Sequence, residues 1–91
     1  MPEPIVSIKT RNEFREYFVG TTLRVIAEAF NGAGVRCDLD YSPSVGGQRR
    51  TLVEQYYKTV DWSDWRAVSR AVKVYENLLR ELFAPPEVQP G

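Results

Sequence analysis

The sequence predicts an all-α fold, a small antiparallel bundle of four to five helices with a short extended N-terminal arm. Three observations carry this. Apolar residues recur at helical spacing in four separate stretches, and glycines and prolines punctuate the intervals between them. The one short run that alternates apolar with polar residues has no obvious strand to pair with apart from the Ile5–Ile8 arm. A chain of 91 residues suits one domain, and at that size about 60–65 % of the unfolded surface is buried on folding, enough for one modest core.

Two prolines in Met1-Pro2-Glu3-Pro4 block helix, so Ile5-Val6-Ser7-Ile8 reads as an extended arm packing Ile5 and Ile8 on the body. Thr10-Arg11-Asn12-Glu13 fits a capping box and opens a first helix at about 11–18, with Phe14, Tyr17 and Phe18 on one side. Gly20 interrupts it. Thr21 or Thr22 then caps a second helix in which Leu23, Ile26, Ala27 and Phe30 follow the i, i+3, i+4, i+7 pattern, and Gly32 and Gly34 end it. Residues 35–47 read as loop, with a small hairpin-like pairing as the alternative, since Cys37, Leu39 and Tyr41 alternate with Asp38 and Asp40.

A third helix is expected at about 48–59, where Leu52, Val53, Tyr56 and Tyr57, followed by Val60, make a broad apolar face. Asp61 or Ser63 caps the fourth, with Asp64 placed to favour the positive end of its dipole. Trp65, Val68, Val72, Tyr75, Leu79 and Leu82 then step by 3, 4, 3, 4, 3, an a/d stripe of nearly three heptads. Pro85-Pro86 stops the helix after Phe83-Ala84, so residues 1–84 form the helical interaction domain and 85–91 a Pro-rich linker or tail. The expected core is Phe14, Leu23, Ile26, Phe30, Leu52, Val53, Tyr56, Trp65, Val68, Val72, Tyr75, Leu79 and Leu82.

Composition narrows the function. With no histidine in the chain, a histidine general base, a Ser-His or Cys-His pair and a histidine metal site are all excluded. Cys37 beside Asp38 lacks a base, and the neighbouring carboxylate raises its pKa. Asp38-Leu39-Asp40 resembles a metal-binding Asp-x-Asp, yet no further acids cluster nearby to complete an oxygen shell. No catalytic residue, cofactor, metal or small-molecule substrate is therefore expected. The lone cysteine and the lack of a signal-peptide pattern point to a reducing, cytoplasmic setting, and no apolar run is long enough for membrane insertion.

Acids and bases balance at zero net charge, so any basic surface is local. Ser44-Val45-Gly46-Gly47-Gln48-Arg49-Arg50 runs a glycine pair into a helix start and lacks the ending of a phosphate-binding P-loop. Its two arginines oppose their own helix dipole, so an acid must answer them: Asp38, Asp40 or Glu54 internally, or a partner externally. Arg66, Arg70 and Lys73 form a basic ridge on the fourth helix, with Glu76 set four residues before Arg80 to neutralise that end. Tyr56, Tyr57, Trp62 and Trp65 cluster at the turn between the last two helices, as core or as interface anchors. The expected partner-binding surface is Arg49, Arg50, Arg66, Arg70 and Lys73, with Tyr57 or Trp62 as its apolar anchor.

The run Gly47 to Tyr57, then Asp61-Trp62, then Val68 to Leu79 resembles the small helical N-terminal domains of bacterial abortive-infection and anti-phage defence proteins. Thr21-Thr22-Leu23-Arg24 and Ala29-Phe30…Gly34-Val35 fit the same likeness, which spans about residues 20–82. It implies an adaptor or sensor module that acts through protein contacts, or through self-association, ahead of an effector domain. This chain reaches only the linker at that point, as an excised domain or a stand-alone protein would. The rival expectation is a small nucleic-acid-binding regulator using the last two helices as a helix-turn-helix-like pair. Asp64 at the front of the fourth helix opposes that reading, because an acid there repels phosphate.

Overall fold

The computed structural model describes residues 4–83, which form four α-helices: α1 (Ile8–Phe18), α2 (Leu23–Gly32), α3 (Gln48–Tyr57) and α4 (Trp65–Phe83). No strand occurs among the described residues. The expected linker at 85–91 lies outside them.

Helix α1 starts three residues before its expected first residue, with Ser7 in place of Thr10 as the cap. Ser7 is extended, and its Oγ accepts the Thr10 N–H at 3.2 Å, so Thr10 lies inside the helix. Serine is as good a cap as threonine, and nothing after Pro4 blocks the earlier start. The arm is accordingly short: the Ile5 N–H donates to the Trp62 carbonyl at 2.8 Å, while Ile8 is exposed as the first residue of α1.

The two threonines ahead of α2 divide their work. Thr22 Oγ1 accepts the Val25 N–H at 3.2 Å as the helix cap, and Thr21 Oγ1 donates to the Phe18 carbonyl at 2.8 Å, tying down the end of α1. At the other end Gly34 takes φ +81°, the Val35 N–H donates to the Phe30 carbonyl and the Gly34 N–H to that of Asn31. These are the two bonds of a Schellman cap, and Val35 and Phe30 share the core beneath it.

Residues 35–47 wrap over α3 as loop. The Asp38 N–H donates to the Gln55 carbonyl at 3.0 Å, and Gln55 Nε2 donates to the Tyr41 carbonyl at 3.2 Å. Asp38 Oδ1 accepts the Asp40 N–H at 3.1 Å, which makes the acidic pair a turn. This connection is long because α3 returns to the start of α2: Leu23 lies beside Gln48 and Arg49 at one end, and Asn31 bonds Tyr56 at the other. Hence α2 and α3 run in the same direction.

Contacts fix the other pairs in the same way. Arg11 meets Tyr57, Arg15 meets Glu54 and Glu16 meets Arg50, so α1 and α3 are antiparallel. Gly34 lies by Arg70, and Val25, Glu28 and Ala29 lie by Asn77 to Glu81, so α2 and α4 are antiparallel too. Between α1 and α4 the contacts advance together, from Ile5 and Trp62 through Phe14 and Tyr75 to Tyr17 and Phe83. That pair is parallel. The expected all-antiparallel order fails for two of these four pairs because the 35–47 connection spans the length of the molecule instead of turning back at once.

Aromatic rings fill the centre. Phe30 stacks on Tyr56 at 4.5 Å and meets Phe18 at 5.3 Å, and Phe14 stacks on Tyr75 at 3.9 Å. Tyr75 donates its hydroxyl to Tyr57 (3.0 Å), which donates to the Arg11 carbonyl (2.8 Å), so both buried phenols are hydrogen-bonded. Burial pushes both above the ordinary tyrosine range, Tyr75 to about 12, and both are neutral at physiological pH.

On α4 the buried residues are Val68, Ala71, Val74, Tyr75 and Leu78. At 100° per residue this arc is turned by roughly 60–70° from the expected a/d stripe, with which it shares only Val68 and Tyr75. Trp65, Val72 and Leu82 are exposed, Leu79 is half-buried, and Leu23 on α2 is exposed as well. Ala71 explains the rotation: its small side chain lets α4 approach the other helices closely, and the flanking Val74 and Leu78 follow it inward.

Candidate interaction surface

Tyr57 belongs to the core, 5 % exposed, and does not serve as a surface anchor. Trp62 is half-buried against it, edge to face at 5.2 Å, while the Arg11 guanidinium sits 4.6 Å above the indole. Arg11 Nε is buried there without a hydrogen-bond partner, and its charge rests on the ring face instead. Both expected anchors are thus occupied within the fold.

The expected basic surface is divided. Arg49 and Arg50 open α3 beside Val19 and Leu23, whereas Arg70 lines a cleft of about 470 Å³ with Gly34, Arg36 and Thr59. These groups lie at opposite ends of α3, which at ten residues is about 15 Å long. Arg50 is also answered internally. Its Nη2 lies 2.7 Å from Glu16 Oε1, and Nε completes a forked contact at 3.0 Å. Glu16 contacts Arg15 as well, and Arg15 reaches Glu54 at 2.7 Å, giving an alternating network across the α1–α3 seam. The hydrogen bond from Arg50 holds the Glu16 carboxyl down at about 2. Asp38, Asp40 and Glu54 were the expected acids; the helix packing supplies Glu16 because antiparallel α1 brings its last turn to the first turn of α3.

Gly47 has a separate duty at that helix start. Its φ of +93° lies where other residues are strained, and α3 has no side-chain cap. Cys37 is half-buried, and burial, together with the Asp38 carboxylate, pushes its thiol up. That shift disfavours the thiolate.

Of the residues expected in the core, the structure turns Trp65 (70 % exposed), Val72 (39 %) and Leu82 (36 %) outward, and Phe83 (64 %) and Tyr17 (44 %) are exposed beside them. Trp65, Val72 and Leu79 repeat every seven residues along one flank of α4, and Phe83 continues the line until it meets Tyr17 of α1 edge to face at 6.0 Å. A shallow cleft of about 360 Å³ runs between Trp65, Ser69, Val72, Lys73 and Glu76. Beside this flank Arg66, Lys73 and Arg80 make a ridge at the same seven-residue spacing, and none of the three forms an ion pair among the described residues. A signal for this surface exists in the sequence: the apolar residues of α4 span about half of the helical wheel, more than the ~100° stripe that faces one core.

Comparison with family models, curated proteins and solved structures found no match, so the surface is read from its own chemistry.

Proposed function

We propose that this chain is a protein-interaction module, an adaptor or sensor that docks a protein partner through the outward flank of α4. One observation carries the reading: large apolar side chains, Trp65 and Phe83 foremost, line up in solvent along the longest helix of a small domain. A contiguous apolar strip with a polar edge is the usual mark of an interaction site, with tryptophan enriched at its centre. The likeness to the N-terminal modules of bacterial defence proteins supports the same role, ahead of an effector domain.

A nucleic-acid reading has one observation in its favour, the basic ridge of α4, whose residues form no ion pair among the described residues. Against it, Asp61 and Asp64 stand at the front of that helix, where Asp64 Oδ1 accepts the Arg66 N–H at 3.3 Å and Asp61 Oδ1 accepts the Ser63 N–H at 3.0 Å. A recognition helix brings its front to the base edges of the major groove, where acids are repelled by the flanking phosphates.

The test is a photo-crosslinking amino acid at exposed Ser69, in the cell that encodes the protein. A protein adduct that disappears when Val72→Glu is added, identified by mass spectrometry, supports the module. Adducts only to nucleic acid, or none, overturn it.

A further inference from the structure

We infer that the partner segment is an acidic amphipathic helix lying lengthwise along α4. The inference rests on the interaction reading above and adds the chemistry of the occupant. The apolar positions Trp65, Val72 and Leu79 recur once per heptad, and a straight apolar line of that period matches a second helix far better than a strand or an irregular loop. From Trp65 to Phe83 the line covers 19 residues, about 28 Å of helix, so the occupant needs about five turns.

Charge selects its character. Along the solvent edge of the line stand Arg66, Lys73 and Arg80, all exposed, with Glu76 as the one acid between them. They occupy the position that flanks the seam in paired helices, where partner charges set the choice of mate. A second copy of this chain seated antiparallel would place the same basic edge against itself, Lys73 facing Lys73, because that geometry pairs equivalent flanking positions. Like charges so placed disfavour self-pairing, and carboxylates at heptad spacing on a foreign helix would answer all three bases. The other edge of the line is bounded by α1, where Tyr17 and Phe83 extend the apolar floor, so the acids belong on one side only.

The experiment uses two designed 21-residue amphipathic peptides with the same leucine heptads, one flanked by glutamates and the other by lysines. Binding to the full chain is read by fluorescence anisotropy at low and high salt. The glutamate peptide should bind at least tenfold more tightly than the lysine peptide, weaken as salt rises, and lose binding to Val72→Glu. The double variant Lys73→Glu/Arg80→Glu, at two exposed positions, should reverse the preference. Equal binding of both peptides, no binding of the glutamate peptide, or full binding by Val72→Glu overturns the inference. So does a concentration-dependent dimer of the chain, seen by sedimentation and abolished by Val72→Glu, since the occupant is then a second copy. In each case a Ser69 protein adduct in the cell still upholds the interaction reading, and its absence removes that as well.

Discussion

Removing the Tyr57 hydroxyl should destabilise the domain more than removing that of Tyr75, although the two form one buried chain. Tyr57 is the middle member: it accepts from Tyr75 at 3.0 Å and donates to the Arg11 carbonyl at 2.8 Å. In Tyr57→Phe the Tyr75 hydroxyl remains in the interior with no acceptor, and an unsatisfied buried donor costs about 1–3 kcal/mol. In Tyr75→Phe the Tyr57 hydroxyl keeps its own acceptor, so only one ordinary hydrogen bond is lost, about 0.5–1.5 kcal/mol. The double variant strands no donor, and the Arg11 carbonyl still has its partner in the α1 ladder. Its cost should therefore fall below the sum of the singles, with a coupling of about 1 kcal/mol. Urea unfolding followed by circular dichroism measures all three, with the m-value unchanged as the check that only stability moves. A Tyr75→Phe loss equal to or larger than that of Tyr57→Phe, or strict additivity, would refute the donor-chain argument.

Three further perturbations separate the fold from the surface. Leu78→Ala, at a fully buried α4 position, should cost about 2–5 kcal/mol, whereas Val72→Ala on the outward flank should stay within about 0.5 kcal/mol; equal costs in thermal unfolding would mean the core arc is misplaced. Glu16→Gln should cost no more than about 1 kcal/mol, because the carboxylate is half exposed and screened. Since Glu16 is held at about 2 against an ordinary 4.5, its contribution is complete above the ordinary value and is lost as pH falls from 4.5 toward 2. The stability difference between wild type and Glu16→Gln should close over that window, and a difference that persists at its acid end would exclude the pairing as its cause. Gly34→Ala should cost about 1–2 kcal/mol for a left-handed backbone alone, since the nearest atom to an added methyl is Arg70 Cδ at an ordinary 3.9 Å; Gly34→Asn should recover part of it.

Helix number, type and punctuation were legible, because each rests on local rules. Thr22 and Gly34 act as a cap and a C′ residue should, and the break at Gly20 and the loop at 35–47 stand where glycine and proline mark them. What was not legible depends on which helices meet. Glu16 and Arg50 are 34 residues apart, so no spacing rule could pair them, and the same holds for Gln55 pinning the loop carbonyls of Leu39 and Tyr41. Ser7 was overlooked for a different reason: two good cap signals lie three residues apart, and only the geometry of the arm chooses between them.

The rotation of α4 is the error with functional content. Two apolar lines compete for the interior on this helix, Trp65–Val72–Leu79 and Ala71–Val74–Leu78, with Val68 and Tyr75 common to both. A heptad template favours the first, since it holds the larger side chains. Packing favours the second, because antiparallel α2 and parallel α1 must both reach α4, and that line offers the small Ala71 where the first offers Val72. Tyr75 serves either line through its stack on Phe14, so the choice falls to Ala71, which is fully buried. The line that lost the interior kept its heptad regularity, which the fold does not use. Regular apolar spacing on an unburied face is unexplained by stability and is what a second helix would read.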